Sequence, residues 1–262
     1  MRLLAVIGHL AWDVVDGGER RVGGGPWYGA RALRHVDVRA YLGVKLGERD
    51  RDELLHVLAP NGLPVIATCA GETTSFAIDR DGEQRTMTVR TIGEPWAPAE
   101  LARAASDAHW VHVAPLLRSD VPAESLAALG DRRVLLDGQG LVRVPELGPL
   151  VLDGDFDRDV LRFVTVLKLA EEEAVALVGS AEPEALRELG VSEVLLTLGP
   201  RGSLVLAHGR VTSVPARPLE IEVDDTGAGD AFATAYVAAR AQGHAPESAA
   251  RYATTVVAAV LL

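Results

Sequence analysis

Short apolar runs alternate with helical patterns along almost the whole chain, and this alternation limits the possible folds more than any other feature. Leu3–Ile7, Val38–Leu42, Pro64–Thr68, Trp110–Val113, Val134–Asp137, Val164–Leu167 and Val194–Leu198 are apolar segments of strand length. Between them, Trp27–His35, Asp52–Leu58, Ala99–Ala105, Ala123–Leu129, Glu171–Val178 and Pro183–Leu189 repeat apolar residues at helical spacing. Strands covered on both faces read as continuous apolar runs, and parallel neighbours need helical crossovers. The pattern therefore predicts an α/β fold, a doubly wound and mostly parallel sheet with helices on both faces. A helix that follows Asp230 stops at Gly243, and a last one starts at Pro246 and runs to about Val260.

Two segments interrupt the alternation. Residues 72–91 alternate as a strand on each side of an Asp81-Gly82 turn, which predicts a hairpin, and residues 13–22 form a polar excursion after the first strand. No repeat and no linker divides the chain, so residues 1–262 are expected to form one domain. A net charge of −11 argues against nucleic acid or an anionic membrane as the partner. Cys69 is the only cysteine, which rules out an intramolecular disulfide and suits a small core residue. The first apolar run is too short for a signal peptide and no segment reaches transmembrane length, so a soluble cytoplasmic protein is expected.

The chemistry concentrates in Asp224-Asp225-Thr226-Gly227-Ala228-Gly229-Asp230-Ala231-Phe232, between the strand-like Ile221-Glu222-Val223 and a helix. Glycines at a helix start let backbone amides converge on an anion, and the helix dipole adds roughly half a positive charge there. Asp230 enters the first turn beside that anion site. Phosphate-sized charge next to a proton acceptor is the minimal equipment for phosphoryl transfer to a hydroxyl.

These nine residues closely resemble the C-terminal motif of the ribokinase-like (PfkB) family of sugar, polyol and nucleoside kinases. The resemblance implies a doubly wound sheet with a small β lid built from residues 13–22 and 72–91, reduced here because both segments are short. It implies an anion hole at Gly227, Ala228 and Gly229, with Asp230 as catalytic base and Thr226 beside the donor. Gly23-Gly24-Gly25-Pro26 looks like the family's di-glycine motif, so Gly24 and Gly25 are expected to close on the acceptor. Asp13 matches the carboxylate that holds substrate hydroxyls. Gly43, Gly47 and Asp50 match a turn that packs near the acceptor pocket and are read as structural, Gly43 being the one of the three expected nearest the ligand.

Thr197, Gly199, Arg201 and Gly202 match a Thr-x-Gly-x-x-Gly turn under the phosphates of ATP. The stretches Val214–Val223 and Ala253–Val257 are expected around the adenine. In Lys168-Leu169-Ala170-Glu171-Glu172-Glu173, Glu173 matches the family glutamate that holds Mg2+ through water, whereas Ala170 replaces the family asparagine. Asp137-Gly138-Gln139-Gly140-Leu141-Val142-Arg143 resembles turns in a compact branch that includes myo-inositol kinases, which brings Gln139 and Arg143 to the substrate. Arg143 either stabilises the moving phosphoryl group or is an ordinary ion-paired loop residue. His109 and His112 lie three apart on a strand and so face opposite sides, which leaves His9 as the histidine to test.

The expected activity is ATP- and Mg2+-dependent phosphorylation of a small sugar, cyclitol or polyol, a myo-inositol-like acceptor being favoured. Two alternatives stay open. A nucleoside acceptor is one, because Trp27 and Tyr28 suit stacking. A ligand-binding protein on a kinase scaffold is the other. Family members often pair through the lid, so a homodimer is a further expectation.

Overall fold

The structure is a computed structural model that describes residues 3–81, 84–218 and 224–262. Nine strands form the main sheet, in the order β14-β13-β12-β11-β9-β8-β1-β4-β5. From the first edge these are β14 (Arg210–Val214), β13 (Ser203–Ala207), β12 (Glu193–Thr197), β11 (Val166–Ala170), β9 (Arg133–Asp137), β8 (Trp110–Ala114), β1 (Leu4–His9), β4 (Ala40–Leu46) and β5 (Val65–Cys69). β12 through β5 run parallel, and β13 and β14 extend the sheet antiparallel.

Side-chain alternation along β1 explains why both faces are covered. Leu4 and Val6 point into a core with α1 (Gly25–Leu33), α8 (Ala228–Ala241) and α9 (Pro246–Leu261). Ala5 and Ile7 point the other way, toward α3 (Pro98–Ala104), α4 (Ala123–Ala127) and α6 (Glu171–Val178). Each fully buried Leu, Ile or Val contributes roughly 1.5–3 kcal/mol, so the two layers dominate stability. The alanines of α8 let it lie close to α1 and α9, and its larger Tyr236 donates to Glu193 Oε2 at 2.7 Å. The remaining helices, α2 (Arg51–Leu58), α5 (Gln139–Val142) and α7 (Pro183–Arg187), are short crossover segments. Among the described residues, no helix is long and apolar enough to cross a membrane.

A second sheet, in the order β10-β7-β6-β2-β3, stands over the carboxyl ends of the first. It joins β2 (Ala11–Val15), β3 (Arg20–Gly23), β6 (Thr74–Asp81), β7 (Gln84–Thr91) and β10 (Gly148–Pro149). The expected hairpin appears as β6 and β7, and the polar excursion becomes β2 and β3. β10, a Gly-Pro pair without periodicity, carries no sequence signal. Gly82 of the expected turn, and Ile221–Val223 of the expected strand and adenine wall, lie outside the described residues.

Candidate active site

The site forms where the carboxyl ends of β1, β8, β9 and β11 meet the start of α8. Gly227 begins that helix with φ 81°, a left-handed conformation that favours glycine, and a Cβ there would stand 2.0 Å from the Tyr28 ring. No side chain caps α8. The Ala228 amide closes a turn onto the Asp225 carbonyl at 2.9 Å. The amides of Gly227 and Gly229 have no backbone acceptor among the described residues, which leaves them for an anion.

Asp230 stands one residue further on. Its Oδ1 is buried and without a hydrogen-bond partner among the described residues. Burial raises its pKa to about 7, helped by the Asp137 and Glu173 carboxylates and opposed by Lys168 and Arg143. Gly24 and Gly25 reach it from the other side. Gly24 (φ 99°) lies against the His9 carbonyl, 2.2 Å from where its Cβ would be. A Cβ on Gly25 would meet Asp230 Oδ1 at 2.9 Å. The di-glycine turn, the anion loop and the carboxylate are therefore one assembly.

A cleft of about 890 Å³ opens from this assembly. Gln139, Arg143, Thr197, Gly199 and Gly202 line it with the α8 N-terminus. Arg143 has no ion-pair partner among the described residues, and its charge bears on Asp230, so it is not an ordinary paired loop arginine. Ala216, Arg217 and Pro218 face Thr254, Val257 and Ala258 across the far end, a mostly apolar slot suited to an aromatic ring. Thr197 points inward and donates to the Leu169 carbonyl at 3.1 Å. Arg201 is exposed and ion-paired with Glu171 rather than lining the cleft.

Glu173 also lines the cleft, and one of its oxygens is already engaged. Oε2 accepts from the Ala170 amide at 2.8 Å, half of a capping box whose other half the Ala170 methyl cannot supply. The acidic cluster Glu171–Glu173 offers oxygen ligands of the hard kind that Mg2+ takes, and few are needed because the ion keeps several waters. The donor set fits a metal–phosphate, to which Glu173 would offer its remaining oxygen.

The other expected residues line the surroundings of this assembly, and a Cβ on Gly23 would stand 2.2 Å from Asp13 Oδ2. Asp13 and Thr226 line a second hollow with Trp27, Tyr28, Arg80 and Asp224, beneath the lid. Thr226 donates to Asp224 at 2.6 Å and accepts from Arg80 at 3.0 Å. Gly43 packs in the core instead: a Cβ there would press on Ala104 and Ile7 at 3.0–3.1 Å. It allows α3 to approach the sheet. Gly47 donates to Thr73 Oγ1 at 3.0 Å, where the lid departs from the main sheet. His9 is buried, pairing with Asp120 at 3.2 Å and with the Glu94 carbonyl at 2.8 Å.

Three further residues complete the centre. Lys168 is buried with its Nζ 3.2 Å from Asp137 Oδ1 and 3.9 Å from Glu173 Oε2. The ligand-capable atoms of His112, Asp137 and Asp230 lie within 4.8 Å of one another, and Lys168 supplies the positive charge of that group. His112 bonds Thr234 Oγ1 at 2.9 Å through Nδ1 and leaves Nε2 buried without a partner among the described residues. Burial, and then Lys168, hold its pKa down to about 3. The available sequence signal was a polar residue near the carboxyl end of three adjacent apolar strands.

The protein-family model described as "pfkB family carbohydrate kinase" matches residues 12–262. A fructokinase of Klebsiella pneumoniae is 26% identical over 270 residues, covering 95% of this chain and 87% of that one. A cytidine kinase of Thermococcus kodakarensis is 26% identical over 267 residues, covering 95% and 92%. A solved pyrophosphate-dependent kinase of the ribokinase family, complexed with a pyrophosphate analogue and myo-inositol, is 26% identical. It superposes with a TM-score of 0.85 over 98% of this chain and 94% of that one. With the glycine turn, Asp230 and all but the first strand of the main sheet inside that match, the chain belongs to the pfkB family of carbohydrate kinases.

Proposed function

We propose that this kinase transfers the γ-phosphoryl group of ATP, as its Mg2+ complex, to a hydroxyl of a cyclitol or similar small polyol, a myo-inositol-like acceptor being favoured. The observation that carries the reading is the Asp230 carboxylate, unpartnered at Oδ1, between free helix-start amides and the di-glycine turn. The acceptor hydroxyl is held at that turn, within reach of Asp230. Its oxygen forms the new bond to phosphorus, the bond to the bridging oxygen breaks, and ADP leaves. The hydroxyl proton passes to Asp230. In a loose transition state this proton moves late, so placement of the carboxylate matters more than its basicity.

The Gly227 and Gly229 amides, with Arg143, face the charge that develops on the phosphoryl oxygens. Glu173 would hold the metal through water, and a bound Mg2+ would supply positive charge against the donor phosphates. The apolar slot between Ala216–Pro218 and Val257–Ala258 suits adenine. The similarity to a myo-inositol-bound relative supports the acceptor class. A nucleoside acceptor is the second reading, supported by Trp27 and Tyr28 beside Asp13 and by the cytidine kinase relative.

The test is phosphoryl transfer from ATP, and separately from pyrophosphate, to a panel of cyclitols, hexoses, sugar acids and nucleosides, with Asp230→Asn as control. Turnover of one polyol with ATP, abolished in the control, is the expected result. Turnover only with pyrophosphate overturns the donor assignment. Turnover only with nucleosides overturns the acceptor assignment. ATP binding without transfer to any acceptor points to a scaffold that no longer catalyses.

A further inference from the structure

Lys168 is one of only two lysines in the chain, and no motif of the sequence gives it a role. Its surroundings do. β9 and β11 run parallel with Lys168 in register with Asp137, so the two side chains emerge on the same rung. The ammonium lies 3.2 Å from Asp137 Oδ1 and 3.9 Å from Glu173 Oε2, and Lys168 is 5% exposed. Above it is the anion loop. A Cβ placed on Gly229 would stand 3.0 Å from Lys168 Nζ and 3.5 Å from Cε. Glycine at 229 thus allows the loop to settle onto the ammonium as well as to expose its own amide. A buried cation needs partners, and here three carboxylates compete for one ammonium and one guanidinium, Arg143.

We propose that Lys168 is a positioning residue of the transfer site, a fixed counter-charge held by Asp137 and Glu173 beneath Gly229 that serves both Asp230 and the anion loop. The inference rests on the reading of Asp230 as the base. The groups that face Asp230 are Asp137 on β9, Lys168 on β11, Glu173 on α6, Arg143 after α5 and His112 on β8. Of these only Lys168 and Arg143 carry positive charge at neutral pH. Without Lys168 the carboxylate faces two like charges and a single guanidinium, and it holds its proton to higher pH.

The experiment separates this role from catalysis as such. Carboxyl-carbon NMR of Asp-labelled protein, with the resonance assigned by Asp230→Asn, gives the Asp230 titration whether or not any acceptor is turned over. Lys168→Gln is expected to move that titration upward by roughly one unit, the low end of the effect of a nearby opposite charge. Lys168→Arg keeps the charge and is expected to restore the wild-type midpoint. If transfer is detected, kcat of Lys168→Gln at pH 7 falls by roughly fivefold, because a one-unit shift takes the ionised share of a base with a pKa of about 7 from about one half to about one tenth, and it recovers as pH rises. Should Lys168→Gln fail to fold, Asp137→Asn alone is compared with Lys168→Gln/Asp137→Asn, which makes the same removal without orphaning Asp137. An unchanged Asp230 midpoint in the folded variants overturns the proposal. Failure of turnover in the wild-type protein, with the NMR shift present, overturns the kinase reading and leaves the Lys168 coupling standing.

Discussion

Gly25 and Asp230 are in contact across the site: a methyl group on Gly25 would stand 2.9 Å from Asp230 Oδ1 and 2.2 Å from the Cβ of Ala114. The di-glycine turn therefore fixes where an acceptor hydroxyl meets the base. Gly25→Ala is expected to push this turn off β8 and cost about 1–3 kcal/mol of stability, as overpacking does. Turnover should suffer more, because a misplacement of about 1 Å can cost roughly 10²-fold. Steady-state kinetics beside a thermal melt check it. A variant that melts lower yet turns over normally shows that the turn does not position the acceptor.

The burial that leaves Asp230 Oδ1 without a partner also sets a pH dependence. The Asp230 pKa is raised to about 7, so the site holds a protonated, inactive base below that pH. kcat/KM for the acceptor is expected to rise with unit slope up to about pH 7 and then level off. Asp230→Asn should lower kcat by roughly 10²–10⁴-fold. The same burial predicts a stability effect of opposite direction. A carboxylate with a raised folded-state pKa binds its proton more tightly when folded, so its contribution is lost as pH rises from the ordinary value through about 7. Asp230→Asn should therefore melt above the wild type at pH 8 and close to it at pH 4. A lower melting temperature at pH 8 contradicts the burial argument.

The sheet, its helices and the glycine turn that opens α8 were legible in the sequence because each rests on a local pattern. Continuous apolar runs mark the buried parallel strands, and the glycines flanking Ala228 mark the helix start. The charge centre was not legible, because its members meet only through sheet register. Lys168 and Asp137 are 31 residues apart and become neighbours through the β9–β11 pairing. His112 was set aside on its spacing from His109, although its real partners, Thr234 and the Asp137–Asp230 group, lie on other elements. Gly43 is structural, as read, but its expected nearness to the ligand was not legible for a related reason. Its glycine serves helix–sheet packing, a demand that a motif match cannot distinguish from ligand approach.

Arg80, near the end of lid strand β6, holds the entrance of the anion loop. Its Nη2 donates to Asp224 Oδ1 and to Thr226 Oγ1, both at 3.0 Å. Asp224 has its pKa held down to about 2 although partial burial pushes it up, because the Thr226 hydroxyl and amide and Arg80 all donate to it. Both ends of the ion pair are solvent-exposed, and such pairs are worth about 0–1 kcal/mol. Arg80→Ala should consequently leave the melting temperature almost unchanged. It should raise the KM for donor or acceptor several-fold, because the lid no longer tethers the loop. High salt should weaken the wild type in the same sense. Equal KM values in variant and wild type would show that the loop is ordered without the lid.

The buried His9–Asp120 pair ties the lid's departure point to the acceptor turn. His9 pairs with Asp120 through Nδ1 at 3.2 Å and reaches the Glu94 carbonyl through Nε2 at 2.8 Å, while its own carbonyl lies under Gly24. Burial is the largest influence and pushes its pKa down, but the Asp120 charge and hydrogen bond, with the Glu94 carbonyl, outweigh it and raise the value. A histidine with a raised folded-state pKa contributes stability that is fully present below its unfolded value, 6.5. That contribution is lost as pH rises through the folded-state value. His9→Asn should accordingly melt well below the wild type at pH 6, and the gap should narrow at pH 9. A gap of constant size across that range would mean that His9 acts by packing against Trp96 rather than through its charge.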